Sequence, residues 1–130
     1  RGDWACHQLE HELGGMYDVA HGAGLAAVWP AWARYVVDTD PGRFASFARQ
    51  VMGVAETEDK TAALEGIAAF EAHLRSLGMP VNLTELLGRR ISEEEVQKLA
   101  HGCSFQGKRT IGTLRPLDEA DMAEIYRRAR

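Results

Sequence analysis

Residues 22–37, G-A-G-L-A-A-V-W-P-A-W-A-R-Y-V-V, are apolar almost all the way round a helical wheel. A helix without a polar face cannot lie on a surface, so other elements have to wrap it. Its longest apolar run, residues 25–33, is far too short to span a bilayer, so the wrapping must be protein. Pro30 falls near the middle, where it removes one backbone hydrogen bond and should kink the helix. The fold has to be built round this segment.

The rest of the chain offers it helices and almost no strand. Asp3 can cap a first helix running to about Tyr17, with Ala5, Leu9, Leu13, Met16 and Ala20 as its apolar stripe. Asp40-Pro41 reads as N-cap and first residue of a third helix, to about Met52. Thr57 can cap a fourth, with a core stripe of Ala63, Ile67, Phe70, Leu74 and Leu77, ended by Gly78 and Pro80. Asn82 starts a short helix through Leu87. Ser92 and Glu95 form an S-x-x-E capping box for a helix to about His101. Residues 102–116, punctuated by Gly102, Gly107 and Gly112, read as an ordered loop, and Asp118 caps a last helix that turns Met122, Ile125 and Tyr126 inward. The pattern predicts an all-α, bundle-like domain without repeats or linkers.

At 130 residues the chain fits one domain with a modest core. A net charge of −4 gives no basic footprint for nucleic acid or an anionic membrane. Cys6 and Cys103 are too few for a disulfide scaffold, which points to reduced thiols and a cytoplasmic setting. No signal peptide is visible. The chain opens on Arg1 rather than Met and runs at once into helix, so it reads as a piece of a longer chain.

Three of the five histidines lie close together in D-W-A-C-H-Q-L-E-H-E-L-G-G-M-Y-D-V-A-H-G. His7 and His11 are one turn apart, with Gly14 and Asp18, on the flank of the first helix opposite its apolar stripe. Two imidazoles at that spacing can take a metal between them, although such a pair also occurs by chance. Residues 7–11 read H-Q-L-E-H, so the protease signature H-E-x-x-H is absent. His21 strengthens the metal reading: it follows a bend at Tyr17-Asp18 and precedes Gly22 and Gly24, which remove bulk where a ligand could approach. Asp18 reads as the N-cap of the next helix rather than a ligand. Cys6 points about 100° away from His7 round the helix and is not counted as a ligand. His73 and His101 read as solvated surface residues. Trp29 and Trp32 read as core, while Trp4, nearer the histidine flank, could touch a substrate. Arg128 and Arg130 sit where cations favour a helix end.

The order H-x-x-x-H-E-L-G-x-x-Y-x-x-x-H-G, followed by a buried helix with a W-P step, resembles the iron-containing (group III) alcohol dehydrogenases, nearest their butanol or aldehyde-reducing branch. The likeness is continuous over residues 3–35. M-P-V-N-L-T-E-L from Met79 and L-R-P-L-D-E-A-D-M-A-E-I-Y near the end are similar to the family's tail. The resemblance implies the C-terminal helical domain of a dehydroquinate synthase-like fold. It further implies a metal held by one Asp and three His, the last two matching His7 and His21, fourteen positions apart. His11 matches a histidine that is not a ligand and lies beside cofactor and substrate. The family's D-x-x-x-H element and its dinucleotide-binding domain lie upstream of this segment.

On that resemblance the full-length protein is a metal- and NAD(P)-dependent oxidoreductase, with Fe²⁺ or Zn²⁺ polarising the oxygen of a small alcohol or aldehyde. A homodimer is the family expectation. Two alternatives stay open: a maleylacetate reductase-like member of the same fold, and a non-catalytic helical fragment unable to complete the site alone.

Overall fold

The computed structural model describes residues 5–130, so the Asp3 cap and Trp4 lie outside the described residues. Among these, the chain forms seven α-helices: α1 (Ala5–Tyr17), α2 (His21–Val36), α3 (Pro41–Val51), α4 (Asp59–Ser76), α5 (Leu83–Leu87), α6 (Glu93–Cys103) and α7 (Glu119–Ala129). One turn of 3₁₀ helix, Val37–Thr39, joins α2 to α3. The sole sheet-like pairing among the described residues is an antiparallel bridge between Ile111 and Leu117, inside the loop that precedes α7. The domain is all-α.

Helix starts follow the capping chemistry closely. The Asp40 carboxylate accepts from the Arg43 N–H, and Pro41 follows it. The Asn82 side chain accepts from the Glu85 N–H. Ser92 and Glu95 make a reciprocal capping box, and Asp118 and Asp121 make another. Two expected caps differ. Glu58, not Thr57, caps α4, because its longer carboxylate reaches both the Lys60 and Thr61 N–H groups. Asp18 does not cap α2. It ends α1 instead, in the left-handed conformation at φ 55, with its N–H donating to the Gly14 carbonyl at 2.9 Å.

α2 sits at the centre, packed on α1, α4, α5 and α7, as its nearly unbroken apolar surface requires. It runs through Pro30 without a break. Leu9 and Leu13 of α1 meet Ala27, Val28 and Trp32 of α2, Leu99 of α6, and Met122 and Ile125 of α7 in one core. The α1 stripe is shorter than expected, since Met16 and Ala20 are exposed. The α4 stripe likewise fades toward its end, where Phe70 and Leu74 are half-buried and Leu77 is exposed.

Polar ties fix α1, the histidine-bearing helix, at two points, one inside it and one at its C-terminal end. The buried Tyr126 hydroxyl of α7 donates to the Leu9 carbonyl at 2.7 Å. At the C-terminal end the Tyr17 hydroxyl donates to Glu95 at 2.7 Å; burial and that carboxylate push its phenol up to about 12. α1 therefore cannot rotate without breaking contacts to α6 and α7.

Candidate metal centre

The link from α1 to α2 has three residues, Asp18, Val19 and Ala20, and α2 opens on His21 without a side-chain cap. The left-handed turn at Asp18 brings the start of α2 back against α1. His7 and His21 consequently face each other with ring centroids 5.4 Å apart and planes tilted by 46°. His7 is half-buried, whereas His11 and His21 are exposed. All three border one cleft of about 600 Å³, together with Gln8, Glu12, Phe105 and Arg109.

The spacing suits an ion. An atom about 2.0–2.1 Å from one nitrogen of each ring, with the two bonds at a roughly tetrahedral angle, puts the centroids about 5.3 Å apart. Imidazole nitrogen is also an appropriate donor for Fe²⁺ or Zn²⁺. Two rings are not a closed shell, and among the described residues no three His, Cys, Asp or Glu side chains converge to hold a metal.

Two features of the cleft have no counterpart in the histidine pattern. First, Glu10 is 3% exposed, and its Oε1 lies 2.5 Å from His21 Nδ1. Its path is open because α2 presents Gly24: a Cβ there would sit 2.6 Å from the Glu10 Cγ. Second, the loop after α6 forms the opposite wall. Phe105 and Gln106 both adopt left-handed backbone, at φ 53 and φ 61. Phe105 is 55% exposed, and the Arg109 guanidinium lies over its ring, 3.6 Å from the centroid. The Arg109 Nε donates to the Cys103 carbonyl at 2.9 Å, which anchors the pair to the end of α6. A phenylalanine set in the polar run S-F-Q-G-K-R is the one sequence signal for this wall.

A second, apolar cavity of about 450 Å³ lies on the other side of His7, lined by Trp29, Trp32, Phe70, Leu74 and Met79 among others. The core expectation for the two tryptophans holds for Trp32. Trp29 is instead half-buried, edge-on to Phe70 at 4.9 Å, and both indoles form cavity wall. The remaining histidines are exposed and lie outside the cleft: His73 lies against Phe70, and His101 pairs with Glu119 at 3.1 Å. Cys6 and Cys103 are both buried.

Residues 1–130 match the family described as Fe-containing alcohol dehydrogenase family, C-terminal. The chain belongs to that family. Among curated relatives, the NADH-dependent butanol dehydrogenase A of Clostridium acetobutylicum is 34% identical over 128 residues, covering 97% of this chain and 32% of that protein. The crystal structure of an NADH-dependent butanol dehydrogenase A from Thermotoga maritima superposes with a TM-score of 0.87 at 38% identity, covering 98% of this chain and 33% of that one. The aldehyde reductase YqhD of E. coli superposes at 0.88 with 28% identity, covering 98% and 33%. The chain thus spans about a third of the length of the relatives it matches.

Proposed function

We propose that this chain carries half of the metal centre of a nicotinamide-dependent alcohol dehydrogenase or aldehyde reductase, with His7 and His21 as two of the ligands. The supporting observation is the pair of imidazoles from two different helices, 5.4 Å apart, in a member of the iron-containing family. The reaction class is hydride transfer between a nicotinamide and the carbinol carbon of a primary alcohol or its aldehyde. A divalent ion held there, Fe²⁺ or otherwise Zn²⁺, would supply Lewis-acid polarisation of the substrate oxygen.

The chain's own residues orient and exchange protons round that chemistry. His7 and His21 would hold the ion through one ring nitrogen each, each ring fixed by the helix that bears it. His11, exposed and one turn from His7, borders the same cleft and can pass a proton between the substrate hydroxyl and water. The family resemblance adds a contact of His11 with the nicotinamide ribose. Phe105, held by Arg109, forms the wall facing the histidines and limits the width available to a substrate. One Asp and one His complete the metal shell from an upstream D-x-x-x-H element, alongside the dinucleotide-binding domain. On this reading the segment is inactive by itself and acts within a homodimeric full-length enzyme.

The test uses the full-length protein. His7→Ala and His21→Ala should each bring bound metal, measured by elemental analysis, down to background and abolish activity. His11→Ala should keep the metal while turnover falls by about 10²–10⁴-fold. Wild-type metal content in either of the first two variants would overturn the ligand assignment.

A further inference from the structure

We propose that Glu10 is a positioning residue for His21: its carboxylate holds the proton of the imidazole on Nδ1 and leaves Nε2 as the nitrogen that binds the ion. This rests on the reading of His21 as a ligand. Three observations converge on it. Glu10 is 3% exposed although it belongs to the helix flank next to the histidines, so its charge is withdrawn from water. Among the described residues its hydrogen-bond and ion-pair partner is His21, at 2.5 Å, and neither a lysine nor an arginine pairs with it. The backbone is also cut away round it. A Cβ on Gly24 would lie 2.6 Å from Glu10 Cγ and 2.9 Å from Oε2, and a Cβ on Gly14 would lie 3.3 Å from Oε2.

A buried carboxylate is a poor choice for packing alone. Its desolvation is costly, and a leucine of similar volume would fill the space without that penalty. What the carboxylate adds is direction. Free imidazole can place its proton on either nitrogen, and the hydrogen bond made by one nitrogen decides which lone pair remains on the other. A carboxylate at Nδ1 fixes the tautomer and ring angle and partly offsets the charge of a bound cation. His21 needs this more than His7, because it opens α2 and its side chain is 55% exposed. The sequence placed Glu10 beside the histidines but gave no sign that it is turned inward. That becomes visible only when α2 brings Gly24 over it.

The experiment uses the full-length protein loaded with Zn²⁺, comparing wild type with Glu10→Gln, Glu10→Leu and His21→Ala. Histidine ¹⁵N NMR should show His21 with a protonated, hydrogen-bonded Nδ1 and a metal-bound Nε2. Chelator competition should show Zn²⁺ affinity lowered by about 10–100-fold in Glu10→Leu and by less in Glu10→Gln, whose amide oxygen still accepts the Nδ1 proton. Thermal unfolding of the metal-free Glu10→Gln variant should match wild type, which separates positioning from packing. A metal on Nδ1, or unchanged affinity and ¹⁵N shifts in Glu10→Leu alongside metal loss in His21→Ala, overturns the role of Glu10 and leaves the ligand reading intact. Metal retained by His21→Ala overturns the ligand reading itself, and the role of Glu10 with it.

Discussion

Asp18 turns the chain so that α2 folds back against α1, and it does so at φ 55, where a Cβ crowds the backbone. Asp tolerates this better than most residues, but glycine would carry no penalty. Asp18→Gly should therefore leave stability unchanged or raise it by up to about 1 kcal/mol, while Asp18→Val should lower it by about 2 kcal/mol. Urea denaturation reads both. An aspartate between two helices fits the end of one as well as the start of the next, and a spacing pattern does not contain the sign of φ. That is why Asp18 reads as a cap of α2 in the sequence and proves to be the end of α1. Glu10 was hidden for a related reason. Beside Leu9 and Leu13 it lies near the boundary of an amphipathic helix, and only the neighbouring helix decides whether that boundary is wet.

At the scale of elements, caps and periods were highly legible because they are local. Asp40, Asn82, Ser92 and Asp118 each bond the backbone N–H that the sequence offers them. Pairing between helices was not legible, and α3 with α4 shows the cause. A Cβ on Gly66 would lie 2.3 Å from the Ala48 Cβ and 2.8 Å from its Cα, so the two helices touch almost backbone to backbone. Gly66 has a partner far off in sequence, and no periodicity names it. Gly66→Ala gains up to about 1 kcal/mol in helix propensity. It must also push α3 and α4 apart, so we expect a net loss of about 1–3 kcal/mol by chemical denaturation. Removing the α6 cap with Ser92→Ala should cost about 1 kcal/mol in the same assay.

Across the whole molecule, charge locks the start of α6 to its neighbours. Glu93 accepts from Arg127 of α7, which with the Gln97 amide holds its carboxyl down at about 2 against an ordinary 4.5. Glu95 is held well below the usual carboxylate range by Arg89, the Ser92 N–H and the Tyr17 hydroxyl. Depressed carboxyls stabilise the fold fully above their unfolded value and lose that contribution as pH falls through the folded one. Stability should therefore decline from about pH 4.5 downward, and Glu93→Gln should flatten that decline toward about 2. Thermal midpoints across an acid series would show it, with the size of the effect reduced by the exposure of Glu93. The candidate site is half legible: the sequence names the histidines that border the cleft, but the wall at Phe105 and the inward Glu10 depend on contacts between distant helices. The short joint of residues 18–20 has a further consequence, for the way such chains can diverge. One residue inserted within α1 would swing everything after it by 100° about the helix axis, dragging Leu13 from the core along with His21. Substitutions can accumulate along this stretch, but its length cannot drift. The count of positions between His7 and His21 is accordingly a ruler that remains readable after most side chains around it have changed.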